Sequence, residues 1–298
     1  MATRESPFEL VVLGDSVTWG SGLPEEGKWW WLVRGWLELK LGRPVHPQVL
    51  AHSLAVIVPN AGEDTKAPAW GEIRFKYPSI TYQALSDPRL SDPGPGAIDL
   101  VLVDGGINDL GPANLLLPWR SPQWVRDQAA EFCGRKMKNL LLLMLDRFLK
   151  ARVIVTGYYP IVSSQTSFAG VLAPLLPFRQ RVIDLSTAWR QATDQWLEWA
   201  VEEANLHPGG PRPRVLYANA EFDPEHSYAA PDTHLWMLQE ALTDGSALGK
   251  QRRSECRRLK PLDPICPIDM AFHPNRLGAH AYADAVMQAL GPLLPALT

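Results

Sequence analysis

Residues 11–22 read VVLGDSVTWGSG. An apolar run ends abruptly at Gly14, and an acid and a serine follow at once. Glycine lets a chain leave a buried strand through a sharp turn. Whatever follows such a turn stands at the rim of a sheet. Two readings fit the serine there: Ser16 caps the next helix, or the fold holds out a nucleophile.

The surroundings of this stretch set the fold class. Leu10 to Leu13, Leu54 to Val58, Ile98 to Val103, Val153 to Thr156 and Val215 to Tyr217 are short runs rich in Val, Ile and Leu. They are continuous where a half-exposed strand would alternate, as expected of parallel strands covered on both faces. Amphipathic helices are predicted over Trp29 to Leu41, Trp124 to Lys150, Pro177 to Asn205 and Arg276 to Leu290. Strand and helix in alternation predict a three-layer α/β/α sandwich around a central, mostly parallel five-stranded sheet, flavodoxin-like in arrangement. Residues 63–97 and 221–268 break the rhythm and read as elaborated loops on a single domain, 1–298.

Composition narrows the function classes. The chain has 298 residues, 46% hydrophobic and 20% charged, enough for a full-sized core. A net charge of −3 gives no global electrostatic case for nucleic acid or an anionic membrane. No apolar run is long enough to span a bilayer, and the N-terminus shows no signal peptide. The expectation is a cytoplasmic protein, or one whose leader has been removed. Three cysteines exclude a disulfide scaffold. Cys256 and Cys266 can close one bridge, and free thiols in a reducing compartment fit equally well.

In open α/β sheets ligands bind beyond the carboxyl ends of the strands, so the residues after each strand belong together. They are Gly14-Asp15-Ser16, then Pro59-Asn60-Ala61-Gly62, then Asp104-Gly105-Gly106-Ile107-Asn108-Asp109; Asp269 to Asn275 precede the last helix. The set supplies a nucleophile, a base, a carboxylate to orient the base and donors for an oxyanion, which are the parts of acyl transfer through serine.

Here the sequence resembles the SGNH (GDSL-type) hydrolases, serine esterases and lipases. GDSVTWG, NAG, GIND and DMAFHPN occur in the family's order, and VTGYYP after the fourth strand is similar too. The resemblance implies Ser16 as nucleophile and His273 as general base. It implies the Ser16 and Gly62 N–H groups and the Asn108 amide as the oxyanion hole. No cofactor or metal is implied. The family keeps its acid three residues before the histidine, whereas Met270 stands there and Asp269 lies four before. Asp269 is the expected triad acid, with Asp263 or a backbone carbonyl as the alternatives for holding His273. Trp19 and Asp109 are candidate substrate contacts, Asp15 is a positioning acid for the nucleophile loop, and Gly71 is the alternative to Gly62.

Other features carry less. Gly22 to Lys28 nearly spells a phosphate-binding loop, but Trp29 replaces the Ser or Thr and two glutamates would repel phosphate. No G-x-S-x-G is present. His226 and His234 near Asp223 and Asp232 match no common zinc spacing. KQRRSECRRLK, residues 250–260, reads as a solvated loop that can also draw an anionic head-group. The expected activity is hydrolysis of a small-molecule, lipid or sugar ester. Acyl transfer at the same site, or a non-catalytic binding module on the hydrolase scaffold, are the alternatives.

Overall fold

The computed structural model describes residues 6–59, 68–208 and 212–297. Five strands form one parallel sheet in the order β2-β1-β3-β4-β5: β1 (Phe8–Leu13), β2 (Val45–Val49), β3 (Leu100–Val103), β4 (Arg152–Thr156) and β5 (Val215–Ala218). Leu10 pairs with Leu100 and Val101 with Val153 across the centre of the sheet. Every residue of β1, β3 and β4 is buried, which is why these strands read as unbroken apolar runs.

The helices are α1 (Ser16–Trp19), α2 (Trp29–Leu41), α3 (Ile80–Leu85), α4 (Ile107–Leu110), α5 (Pro122–Ala129), α6 (Met137–Arg147), α7 (Arg179–Asn205), α8 (Leu238–Thr243), α9 (Ala247–Leu259) and α10 (Arg276–Leu290). A π-helical stretch, Ala130–Lys136, joins α5 to α6. α2 packs on α10, while α5 and α6 pack on α7. These groups form the outer layers of an α/β/α fold. Trp29 stacks on Tyr282 between α2 and α10, and Trp196 meets Trp199 edge-on along α7, so these tryptophans are packing residues.

Two expectations need correction. The second strand is Val45–Val49 and not Leu54 to Val58. Its VHPQV carries a proline, which a sheet tolerates at an edge, and β2 is an edge strand. Ala55, Val56 and Ile57 are buried as their composition demands, but their backbone groups pair outside any ladder: the Ile57 N–H donates to Asp109, the Ala55 carbonyl accepts from Asn108, and the Val56 and Ile57 carbonyls accept the Ile80 and Thr81 N–H groups. Residues 250–260 are also not a loop. They lie on α9 and its C-cap, with Gly249, Arg252 and Cys256 facing inward at helical spacing. Cys256 is bonded to Cys266, so that of the two cysteine readings the bridge is the one found.

Candidate active site

In a 2-1-3-4-5 sheet the strand order reverses between β1 and β3, and the crevice opens beyond their carboxyl ends. Gly14 leaves β1 at φ +137°, a conformation that favours glycine, and a Cβ there would collide with Asp104. Gln83 of α3 grips the same residue from both sides. Its Oε1 accepts the Gly14 N–H at 2.8 Å and its Nε2 donates to the Gly14 carbonyl at 3.1 Å.

Asp15, not Ser16, is the N-cap of α1. One carboxylate oxygen accepts the Val17 N–H at 2.8 Å, and the other accepts the Tyr158 hydroxyl at 2.8 Å. The backbone N–H of Asp15 donates to Asp104 Oδ1 at 2.8 Å. Both acids are fully buried. Burial, and then the adjacent Asp15 charge, push the Asp104 carboxyl well above the usual range; burial also raises Asp15. With the cap supplied by Asp15, the Ser16 hydroxyl is free for another partner.

That partner is His273. Its Nε2 lies 2.7 Å from Ser16 Oγ, although 257 residues separate the two in sequence. The His273 loop is locked on several sides. The His273 carbonyl accepts the Trp236 N–H at 2.8 Å, and Phe272, at φ +68°, presents its carbonyl to the Tyr159 hydroxyl at 2.9 Å. The Phe272 ring stacks on Tyr228, and Asn275 caps α10 through Leu277 and Gly278.

The other nitrogen, Nδ1, lies 3.2 Å from the carbonyl oxygen of Ala271. Among the open alternatives for holding the imidazole, the backbone carbonyl is the one in contact. Asp269 points elsewhere. It accepts from the Ser53 hydroxyl and its Oδ1 lies 3.2 Å from Arg74 Nε. A short helical turn, Cys266–Ile268, runs on through Ala271 N–H to Ile268 and His273 N–H to Met270. Within this tight winding Asp269 is engaged by Ser53 and Arg74, and the imidazole faces Ala271. Burial raises the pKa of Asp269, opposed by the charges of Arg74 and then His273. Asp263, the other acid considered, accepts from the Ile265 and Cys266 N–H groups.

Asn108 lines the crevice with Ser16 and His273, its Nδ2 donating to Ala55 at 3.0 Å. The Ser16 N–H, at the first position of α1, has no acceptor within its helix. Gly62 lies outside the described residues. Gly71 packs against Trp19 and Ala51, and its carbonyl accepts the Ser53 N–H at 2.7 Å.

Trp19 and Asp109 are corrected as substrate contacts. The Trp19 ring is buried under Lys28, whose Nζ sits 3.5 Å from its centroid, and its indole N–H donates to Glu72 at 2.7 Å. Burial lowers the Lys28 pKa to about 8. Asp109 Oδ2 accepts the Ile57 N–H at 3.0 Å with Lys136 nearby, and burial raises its pKa to about 6. Both residues brace the site from behind. His226, Asp232 and His234 do cluster, with ligand atoms within 4.8 Å of one another. The two imidazoles stack face to face at 3.8 Å, and His226 Nδ1 already accepts the Asp223 N–H.

A cavity of about 260 Å³ opens over Ser16. Its walls are mostly apolar, including Val17, Leu54, Ile107, Leu116, Ile161 and Ile268, with Arg74 and Asp269 as the charged pair. Sequence reasoning did not find Gln83, Asp104, Tyr158, Ser53 or Arg74. Gln83, Ser53 and Arg74 sit in or beside segments without periodicity. Asp104 and Tyr158 stood in stretches already singled out, the set after the third strand and VTGYYP, but neither was given a role.

A five-stranded parallel sheet of this order is the fold that the chain shares with solved lipases and a phospholipase. The chain is similar in structure to the extracellular lipase of Streptomyces rimosus, with a TM-score of 0.57 and 14% identity over 95% of this chain and 99% of the lipase. Phospholipase A1 from Streptomyces albidoflavus NA297 gives 0.53 at 14% identity, over 95% of this chain and all (100%) of the phospholipase. The lipase Lip_vut3 from a goat rumen metagenome gives 0.53 at 15% identity, over 95% of this chain and 97% of the lipase. No protein-family model and no curated protein sequence matches the chain.

Proposed function

We propose that this protein is a serine esterase that cleaves carboxylic esters with an apolar acyl group, through an acyl-enzyme on Ser16. The observation that carries the reading is the 2.7 Å contact between Ser16 Oγ and His273 Nε2 at the floor of an apolar cavity. With Nδ1–H donating to the Ala271 carbonyl, Nε2 keeps its lone pair and accepts the serine proton. Ser16 then attacks the ester carbonyl. The oxyanion is received by the Ser16 N–H and the Asn108 amide, with Gly62 as a further donor. His273 returns the proton to the leaving alcohol, and water repeats the sequence to release the acid.

A neutral carbonyl stabilises an imidazolium less than a carboxylate in contact would. The apolar walls suit a hydrocarbon acyl chain better than an acetylated sugar. The shared fold of lipases and a phospholipase accords with this. The test is labelling by a fluorophosphonate, with the adduct located by peptide mass spectrometry. An adduct on Ser16 that disappears in His273→Ala is expected. A folded protein that is never labelled would instead favour a binding module.

A further inference from the structure

The chain carries −3 overall, yet residues 250–260 hold six basic residues and one acid. Arg252 faces inward, where Glu72 meets its Nε at 2.7 Å. Lys250 and Arg257 face solvent on the other side of α9, and so does Arg258, whose Nε also donates to the segment's one acid, Glu255, at 3.0 Å. Cys256, on the last turn of this helix, is bonded to Cys266, so residues 256–266 form a closed loop. At its tip Leu262 is 94% exposed and Ile265 52% exposed.

Isolated exposed apolar residues need no explanation, but these two have a particular setting. Ile265 also lines the cavity over Ser16, next to Ile268, so the apolar tip runs into the candidate site. The tip is braced. Asp263 Oδ1 accepts the Ile265 N–H at 3.0 Å and lies 3.9 Å from Arg74 of the cavity wall. A rigid apolar tip flanked by cations, at the mouth of an apolar cavity, has the chemistry of peripheral lipid binding. Among the described residues no helix is long and apolar enough to cross a membrane, so contact would be with the surface alone.

We propose that α9 and the loop 256–266 form a docking surface for an anionic lipid bilayer, with Leu262 and Ile265 entering the headgroup region and Arg257 and Arg258 meeting lipid phosphates. Its purpose rests on the esterase reading, since it would bring the cavity mouth to acyl chains. An acidic protein would satisfy the cations equally well but gives no role to the apolar tip.

The experiment is co-sedimentation with phosphatidylcholine vesicles, with and without phosphatidylglycerol. The protein is expected to bind the anionic vesicles, more weakly as salt rises. Each basic residue near such a surface is worth roughly fivefold, so Arg257→Gln with Arg258→Gln should weaken binding about 25-fold. Leu262→Ser should weaken it about tenfold. These exposed positions lie outside the site, so fluorophosphonate labelling and turnover of a soluble ester should stay at wild-type rates. No binding to anionic vesicles, or binding indifferent to all three substitutions, would overturn the proposal. Equal capture by polyglutamate, unaffected by Leu262→Ser, would overturn it in favour of an acidic polymer. Vesicle binding without labelling of Ser16 would count against the esterase reading and leave the docking surface standing.

Discussion

The Nδ1 nitrogen of His273 lies 3.2 Å from the carbonyl oxygen of Ala271, two residues earlier in the same turn. The carboxylate nearest in sequence, Asp269, is engaged by Ser53 and Arg74 instead. Backbone geometry therefore holds the imidazole, and a change of side chain cannot easily remove a backbone carbonyl. In a triad with an acid in contact, Asp→Asn costs about 10⁴ in kcat because the amide favours the wrong tautomer. Asp269→Asn should instead leave kcat on a soluble ester within about tenfold of the parent. A loss on the order of 10³ or more would return Asp269 to the histidine.

Asn108 offers its amide to the crevice while steadying the Ala55 carbonyl at 3.0 Å. Asn108→Ala should lower kcat by roughly 10²–10³, the usual effect of losing one oxyanion donor. KM should change little. A small kcat effect alongside a lowered melting temperature would mean that the amide serves only Ala55.

Gln83 pairs with both backbone groups of Gly14. Gln83→Leu fills similar space and leaves the buried Gly14 N–H without a partner, while the Gly14 carbonyl keeps the His52 N–H at 3.0 Å. The expected cost is about 1–3 kcal/mol, read from the urea midpoint. Because Gly14 aims Ser16, fluorophosphonate labelling should slow as well. A stability loss with unchanged labelling would separate the clamp from the nucleophile.

Asp109 has a pKa of about 6 in the fold, chiefly because it is buried. An unfolded aspartate titrates near 3.9, so between about pH 4 and pH 6 the folded state binds more protons. Stability should therefore fall as pH rises through that window, and the cost of burying the charge persists above it. Asp109→Asn keeps an acceptor for the Ile57 N–H. It should flatten the slope and raise stability at pH 7 by on the order of 2 kcal/mol. Urea titrations of both proteins between pH 4 and pH 7 measure this.

Much of the fold was legible because burial on both faces leaves a plain mark. FELVVL and LVLV admit no alternation, and such strands pair in parallel under helices. The second strand was misread because hydrophobicity reports burial and not hydrogen bonding. Ala55 to Ile57 are buried without a ladder, while VHPQV forms one at the sheet edge behind a proline. The helix α9 was missed because its basic residues hide the few inward positions, Gly249, Arg252 and Cys256.

By itself, then, the sequence determined the alternating architecture and the local turn that carries Ser16, since both follow from side-chain pattern and backbone freedom over a few residues. It also marked His273, at the mouth of the last helix. Only the tertiary structure decided that Ser16 and His273 meet, that Ala271 and not Asp269 faces the imidazole, and that Trp19 and Asp109 turn inward. Those outcomes depend on distances of a few ångströms between segments far apart in the chain. Spacing along the sequence carries no record of them.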